Sequence, residues 1–315
     1  MLYPRKYSEI MKILLIGGTG LLGRSFCKQY RGSNGQITAI VRNLEKGRML
    51  ESFGVDVVPG SILDRDSLSR ALPGHDVILN FASAIPRKNK SSARDWEMND
   101  QLRVQGTHNL LESIRNQPAF YCQAGIAFLY GDHKGKWVDE SSVTNPNAIT
   151  RSAGEMERQF LESHRDLNGV SFRFSAFYHE EAWHTQYMIH ELRKRRVPII
   201  GDGTFFWNLI HVDDAAAAVI TVLENMDQIQ NREIVNVSDG EPVQSQEMLN
   251  HLAHLLGVHE PTKIPQFIAR IVLGTEGYEV LTASYRCKTD KIRALGWKPR
   301  YNSYREGFAS ILQNV

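Results

Sequence analysis

The chain has 315 residues, of which 42% are hydrophobic and 23% charged, and its formal net charge at pH 7 is +2. This length is enough for a full hydrophobic core in one large domain or in two closely joined ones. The near-neutral balance argues against bulk attraction to nucleic acid or to an anionic membrane, and no apolar run is long enough to predict a membrane span. The three cysteines are widely spaced and odd in number, which favours a reducing cytoplasm over a disulfide framework.

The first ten residues, MLYPRKYSEI, include basic residues but lack the apolar segment of a signal peptide. Met11 begins the first clean strand, so residues 1–10 are expected to be an N-terminal extension or to follow from a mis-assigned start. We therefore expect a cytoplasmic protein whose fold begins at Met11.

Buried strands and helices alternate over the first half of the chain. Apolar stretches predict strands at KILLIGG, QITAIVRN, VDVVPGSI, HDVILNFAS and AFYCQAGIAFLY. Between them, helices are predicted at TGLLGRSFCKQY, RDSLSRAL and DQLRVQGTHNLLESIR. This alternation is typical of the α/β class, with a Rossmann-type, doubly wound parallel sheet that carries helices on both faces.

The alternation breaks after about Ser175. Helices are predicted at EEAWHTQYMIHELRKRR, SQEMLNHLAHLLG and PQFIARIVLG, while NLIHVDDAAAAVITVLEN and REIVNVSDG add strand, helix and strand. We therefore predict a Rossmann domain formed by residues 11–174 and 207–238. Residues 175–206 and 239–315 are expected to form a small, mostly helical C-terminal lobe on the substrate side.

The motif GGTGLLG joins the first predicted strand to the first helix. Its first glycine permits a tight turn, its second lets the backbone approach a pyrophosphate, and its third lets helix and strand pack closely. The helix N-terminus then directs its free N–H groups at the phosphates. A purely structural turn is the alternative. The predicted cofactor-binding residues in this motif are Gly17, Thr19, Gly20, Leu21, Leu22 and Gly23.

The end of the second strand indicates which dinucleotide binds. NAD sites place Asp or Glu there, about 20 residues after the glycines, to bind the ribose 2′-hydroxyl. This strand ends instead in Val41 and Arg42, and a guanidinium suits a 2′-phosphate. NADP(H) is therefore favoured over NAD(H), and the alternative is that Arg42 is a solvated loop charge.

With these motifs the chain resembles the extended short-chain dehydrogenase/reductases, the NAD-dependent epimerase/dehydratase-like group. The resemblance covers nearly all of residues 12–312 and rests on GGTGLLG, NFAS, GTHNLLES, YGD, GDG, IHVDDAAAAV and LGWKPRYNSYREG. It implies that Ser61 and Ile62 flank the adenine, and that Phe81, Ala82 and Ser83 line the ribose and nicotinamide. It also implies a homodimer formed through two helices of the large domain.

The resemblance implies a catalytic set of Ser or Thr followed by Tyr-x-x-x-Lys. In that set the tyrosine moves a proton, the lysine lowers its pKa and holds the ribose, and the serine orients a carbonyl. Here the serine position falls on Ile126, and the tyrosine and lysine positions fall on Ile149 and Ala153. A slip of one residue gives Thr150 and Gly154 instead. In either alignment the chain lacks the usual set, and this is its main departure from the family.

Two further departures concern the helix and the pocket. Arg103 stands where the family's long helix usually carries Asn, and TFFWN follows GDG where the family commonly has an arginine that clamps a nucleotide-sugar diphosphate. Ile126, Phe205 and Trp207 are expected to line the substrate pocket, which favours a small, non-nucleotide, less charged substrate. Packing within the lobe is the alternative for the two aromatic residues.

The candidates for a replacement proton donor are Tyr178, His179, Tyr130 and Arg151, and Tyr130 has a structural role as its alternative. No metal site is predicted, because HEEAWH lacks the HExxH spacing. The sequence thus predicts an NADP(H)-dependent oxidoreductase that acts on a small metabolite without the usual catalytic set. The alternatives are a catalytically silent NADP(H)-binding sensor or scaffold, and a redox-neutral epimerase or dehydratase.

Overall fold

A computed structural model describes residues 10–33, 35–88, 91–115 and 119–313. The predicted N-terminal extension lies outside these residues except for Ile10, which precedes the first strand. The strands are β1 Met11–Ile16, β2 Gly35–Val41, β3 Asp56–Pro59, β4 Val77–Asn80, β5 Phe120–Ile126, β6 Trp137–Val138, β7 Asn168–Phe174, β8 Ala176–Tyr178, β9 Ile199–Ile200, β10 Phe206–Trp207, β11 Leu209–His211, β12 Arg232–Val237, β13 Val243–Gln244, β14 Lys263–Ile264 and β15 Arg286–Cys287.

The helices follow the predicted alternation and continue to the end of the described chain. None of those described has both the length and the apolar character needed to cross a bilayer. The helices are α1 Leu21–Tyr30, α2 Leu44–Gly47, α3 Arg65–Ala71, α4 Ala93–Gln101, α5 Thr107–Ser113, α6 Arg151–Leu161, α7 Trp183–Arg193, α8 Val212–Glu224, α9 Ser245–Leu255, α10 Gln266–Leu273, α11 Thr275–Thr282, α12 Asp290–Ala294 and α13 Tyr304–Gln313.

Seven parallel strands form the central sheet, in the order β12-β7-β5-β4-β1-β2-β3. The chain winds outward from β1 to β3 and then returns at β4 on the other side of β1. The connections that follow these two neighbouring strands therefore leave in opposite directions, and such a switch point is where ligands bind in open α/β sheets. The predicted Rossmann-type parallel sheet is confirmed.

Apolar clusters cover both faces of the sheet. Phe26 of α1 and Val219 of α8 belong to the cluster on one face, and Leu110 of α5 and Phe160 of α6 belong to the cluster on the other. A separate cluster is built almost wholly from segments 178–209 and 243–311. It is the core of the C-terminal part, although the predicted domain boundaries stay a prediction.

One predicted strand is shorter in the structure. The stretch AFYCQAGIAFLY was expected to be extended throughout, but β5 ends at Ile126 and Ala127–Tyr130 form a 3-10 turn. The turn places the Tyr130 ring in a buried cluster, 5.6 Å from the ring of Tyr285. Burial of this ring therefore bends the chain away from the strand direction.

The long helix begins earlier than predicted. It was expected from Asp100, but α4 starts at Ala93, because Ser92 and Asp95 form a capping box at its N-terminus. A π-helical turn, Leu102–Gly106, joins α4 to α5. Such turns are rare and occur often at functional sites.

A buried ion pair connects α6 to the sheet. Arg173 of β7 donates to Glu157 of α6 through Nη2 at 2.6 Å and Nε at 2.9 Å, and these side chains are only 4% and 8% exposed. Arg173 also donates to Tyr130 Oη at 2.9 Å. These contacts fix β7, α6 and the turn Ala127–Tyr130 to one another, since each of the two charges has a partner in a region that excludes water.

We predict that Glu157→Gln lowers the free energy of unfolding by about 3–5 kcal/mol, because it leaves the Arg173 guanidinium buried without a counter-ion. Denaturant unfolding monitored by circular dichroism measures the loss. Glu155→Gln is the matched control, since Glu155 pairs with the exposed Arg158 and such surface pairs contribute less than about 1 kcal/mol. Equal effects of the two substitutions would contradict the prediction.

Candidate active site

The glycine motif forms a cradle that admits no side chain. Gly17 has φ +82°, and a Cβ on it would lie 2.5 Å from the carbonyl carbon and oxygen of Phe81. A Cβ on Gly23 would lie 2.5 Å from the carbonyl oxygen of Gly17. Helix α1 begins directly after Gly20, which is its N-cap residue. The cradle therefore fits a pyrophosphate held by backbone N–H groups at a helix N-terminus.

The remaining motif residues support this cradle in different ways. Leu22 is buried in the core and Leu21 is half-buried at the first position of α1. The carbonyl of Thr19 accepts a hydrogen bond from Arg24 Nη1 at 2.9 Å, and Arg24 also pairs with Glu181. The loop that follows β8 is thereby tied to the glycine turn.

A cation follows β2, at the place where the sequence predicts the adenine half of a dinucleotide. Arg42 follows β2 and is exposed, and no acidic residue ends that strand. Ser61 is half-buried after β3, and the buried Ile62 presents its carbonyl to Asn109 Nδ2 at 3.2 Å. Arg42 thus lies beyond the carboxyl end of β2, where the sequence predicts it.

Residues Phe81–Ser83 leave the carboxyl end of β4 beside the glycine turn. Asn80 holds their start, since its Oδ1 accepts from Ala82 N at 3.3 Å. Asn99 of α4 holds the next residue, since its Oδ1 accepts from Ala84 N at 3.1 Å. Phe81 is buried, Ala82 half-buried and Ser83 exposed, so the exposure of this segment increases with distance from the core. We call this segment the wall Phe81–Ser83.

The positions predicted for the usual catalytic set carry no acid or base. Ile126 ends β5 half-buried, Ile149 is half-buried just before α6, and Ala153 is fully buried in the first turn of α6. Thr150 is 2% exposed. Its hydroxyl oxygen accepts a hydrogen bond from the backbone N–H of Asn147 at 3.0 Å. Neither alignment therefore offers a proton donor at these places.

Both candidate tyrosines are buried away from solvent. The Oη of Tyr130 lies 2.8 Å from the carbonyl of Asp139 and accepts from Arg173, and burial raises the pKa of Tyr130. Tyr178 is 1% exposed and stacks on Phe308 of α13, with ring centroids 4.8 Å apart. Burial raises the pKa of Tyr178 as well. The geometry gives both residues a packing role.

His179 lies beside His211 and Glu180, and ligand atoms of these three residues come within 4.8 Å of one another. The Nδ1 of His179 accepts from Glu181 N at 3.1 Å, and the Nδ1 of His211 accepts from Asp213 N at 3.2 Å. A neutral imidazole whose Nδ1 accepts carries its proton on Nε2 and has no free lone pair for a cation. Burial lowers the pKa of His211 to about 4. His211 thus caps α8 as a neutral side chain.

The lobe supplies aromatic residues and an unexpected cation. Phe205 and Trp207 are half-buried, and Trp207 Nε1 donates to Leu281 O at 2.8 Å. The guanidinium of Arg286 lies 4.0 Å from the ring centroid of Phe206 and 5.9 Å from that of Trp137. Its Nε is buried without a hydrogen-bond partner among the described residues. Sequence reasoning missed Arg286, because its aromatic neighbours are far away along the chain.

Most of the predicted cofactor residues lie together in the structure, whereas two of the predicted proton donors, Arg151 and Tyr178, lie in different parts of it. The glycine motif, Arg42 and the wall Phe81–Ser83 lie at the carboxyl edge of the sheet. Arg151 is exposed at the start of α6, while Tyr178 belongs to the core of the C-terminal part. The individual site assignments stay predictions.

We predict that Gly17→Ala weakens binding of the dinucleotide by at least about 100-fold, because the new methyl group collides with the Phe81 carbonyl and displaces the pyrophosphate cradle. Fluorescence titration with NADPH measures the affinity. Gly32→Ala is the control, since Gly32 has a similar φ of +84° but a Cβ on it would meet no heavy atom within 4 Å. A loss of affinity in both variants would attribute the effect to backbone strain alone.

Comparison with known proteins supports the same fold and family. A sequence model of the NAD dependent epimerase/dehydratase family matches residues 13–238. The 3-diazoavenalumate denitrifying reductase of a Streptomyces species is 27% identical over 310 residues, which cover 94% of this chain and 99% of the reductase. A chloroplastic epimerase family protein SDR39U1 homolog of Arabidopsis thaliana is 22% identical and covers 96% of this chain, with 87% of its own length matched.

Solved structures with the same fold hold either dinucleotide. Human epimerase family protein SDR39U1 with NADPH superimposes with a TM-score of 0.82 at 17% identity, over 97% of this chain and 100% of the human chain. The dTDP-glucose 4,6-dehydratase of Bacillus anthracis with NAD gives a TM-score of 0.75 at 20% identity, over 96% of each chain. With the family model covering most of the sheet and the predicted resemblance confirmed, this chain belongs to the NAD dependent epimerase/dehydratase family.

Proposed function

We propose that this protein is an NADP(H)-dependent oxidoreductase that reduces a small, non-nucleotide substrate without a proton-donating tyrosine. The observation that carries the proposal is that Ile126, Ile149 and Ala153 stand at the predicted positions of the usual catalytic groups, in a chain whose glycine cradle fits a pyrophosphate. An epimerase or dehydratase would need an acid or base that these positions do not supply.

The chemistry that fits such a site is hydride acceptance without concerted protonation. When bound, NADPH supplies the hydride. A cationic acceptor, such as an iminium or a diazonium group, is neutralised by the hydride and needs no proton from the protein in that step. An activated alkene forms a delocalised carbanion that solvent can protonate later. The Streptomyces relative is named for denitrifying reduction of a diazo compound, which supports acceptors of this class.

The chain's own residues bind and orient the substrate rather than transfer protons. Ile126 and Ile149 give the strand end and the start of α6 apolar surfaces, which exclude water from the hydride acceptor. Phe206 and Trp207 offer flat faces on the lobe side, and Arg286 adds a guanidinium next to Phe206. These features support a substrate that combines an apolar or aromatic part with an anionic group.

The preference for NADP(H) is part of the proposal, and Arg42 supports it. We predict that Arg42→Ala raises the Kd for NADPH by about 10- to 100-fold, because a charge-assisted contact with the 2′-phosphate is lost. The Kd for NADH, which lacks this phosphate, is expected to stay within about twofold. Arg70→Ala, which removes an exposed arginine at the end of α3, is the control. Equal losses for both dinucleotides would contradict a 2′-phosphate contact.

The function is tested by following the hydride. The protein is incubated with NADPH deuterated at C4 and with a panel that contains a stable iminium, an activated alkene and a metabolite extract, and products are analysed by mass spectrometry. We expect deuterium in a product whose formation depends on the protein. We also expect Tyr178→Phe to leave turnover within about twofold, because the hydroxyl it removes has no hydrogen-bond partner among the described residues.

Other outcomes select the alternatives. Tight NADPH binding with no deuterium transfer to any acceptor indicates a silent sensor or scaffold. A product formed without net oxidation of the cofactor indicates a redox-neutral epimerase or dehydratase. A tenfold fall in turnover on Tyr178→Phe would assign a proton-donating role to that tyrosine and contradict hydride transfer without a tyrosine.

A further inference from the structure

Arg103 is a buried cation in the wall of the proposed cofactor cleft. It lies on the long helix one turn after Asn99 and one turn before Thr107. Asn99 is bonded to the backbone of Ala84, and Thr107 Oγ1 accepts from Asn80 Nδ2 at 3.2 Å. Asn99 and Thr107, which lie one turn to either side of Arg103 on the helix, therefore hold the segment at the carboxyl end of β4. Arg103 itself lies within the π-helical turn.

The guanidinium of Arg103 is poorly satisfied by the protein. Arg103 is only 4% exposed, and among the described residues its one side-chain hydrogen bond is a long contact of 3.5 Å from Nη1 to Ser152 Oγ. Arg103 forms no ion pair with a described carboxylate, and burial lowers its pKa to about 10, although the charge of Asp100 one turn earlier partly opposes that shift. A guanidinium has five N–H donors, and burying it without matched acceptors costs several kcal/mol. The long contact with Ser152 and the attraction of Asp100 offset only part of this penalty.

The side chain of Arg103 also contacts helix α6. Ser152, which Arg103 touches, precedes Ala153, and Ala153 is fully buried with only a methyl group as its side chain. The guanidinium thus reaches from the long helix to the first turn of α6. The residue after Ser152 is Ala153, where the resemblance implies a lysine.

The course of a dinucleotide across the sheet explains this arrangement. If its pyrophosphate bound at the glycine cradle between β1 and β4, its second nucleoside would extend along the carboxyl ends of β4 and β5. The segment after β4 and the start of α6 would border that path. The long helix contacts both of them, through Asn99 at Ala84 and through Arg103 at Ser152. The planar guanidinium is able to donate to two neighbouring hydroxyl oxygens at once.

We propose that Arg103 binds the ribose of the nicotinamide half of the cofactor, and thereby positions the nicotinamide in the absence of a lysine on α6. This inference rests on the proposed use of NADP(H). Arg103 acts here as a positioning residue, since it holds the cofactor and transfers no proton. Its always-charged side chain keeps this contact over the whole physiological pH range.

The test separates the two halves of the cofactor. Affinities for NADPH and for adenosine 2′,5′-bisphosphate, which lacks the nicotinamide mononucleotide half, are measured by calorimetry for the wild-type protein, Arg103→Met and Arg103→Lys. Arg103→Met is expected to raise the Kd for NADPH by at least about tenfold, as for loss of a charged hydrogen bond. Its Kd for the bisphosphate is expected to stay within about twofold, and Arg103→Lys is expected to fall between wild type and Met for NADPH.

Two controls keep the result interpretable. Arg94→Met removes an exposed arginine from the same helix and should change neither affinity. The thermal midpoint of ligand-free Arg103→Met should equal or exceed that of the wild type, because an unmatched buried charge is removed. A purely structural role of Arg103 would instead lower that midpoint and weaken both ligands.

Each remaining outcome is decisive. Unchanged NADPH affinity in Arg103→Met, or equal weakening of both ligands, overturns the assignment of Arg103. The assignment is also overturned if the wild-type protein binds NADPH no more tightly than the bisphosphate, so that the nicotinamide mononucleotide half adds no affinity; NADP(H) use would then stay in place. Wild-type protein that binds neither ligand overturns the proposed function itself.

Discussion

The close approach of Gly17 to the backbone of Phe81 is the contact on which the whole candidate site depends. It lies where β1 and β4 run side by side and the following connections diverge. The separation leaves no room for a Cβ atom, so glycine alone closes the turn and brings the N-terminus of α1 to the strand ends. Because Phe81 is fixed at this point, the segment after β4 becomes the wall of a cleft, and Asn99 holds that wall from behind.

Buried polar contacts hold the framework around the predicted catalytic positions. Glu157 and Arg173 bind α6 to β7, and Tyr130 joins them from the turn after β5. The position of α6 is therefore set by buried charges that do not depend on what stands at Ile149 or Ala153. The fold around these positions is therefore compatible with the proposed chemistry, which does not use the usual catalytic set. Tyr130 belongs to this framework, and its burial is the reason that it is no proton donor.

Much of the fold was predictable because its signals are local. The glycine motif, the apolar strands and the helices are each recognisable within a few residues, and the resemblance to the family followed from their order. The site was less predictable. The shortened β5 and the burial of Tyr178 depend on Tyr285 and Phe308, which lie far along the chain from the residues they contact. Arg103 was noticeable in the sequence only as a departure from a pattern, and nothing local indicated that Arg286 stacks on Phe206.

The burial of Ala153 limits which substitutions this region can accept. Ala153 has no exposed surface, and its neighbour Ser152 touches Arg103. A lysine placed at position 153 would bring a second cation into this buried region, where like charges repel strongly and water does not screen them. If Arg103 holds the cofactor as proposed, its removal alone would leave the region with no cation. The two changes are therefore expected to be coupled, so that the double variant binds the cofactor better than the two single variants together would suggest.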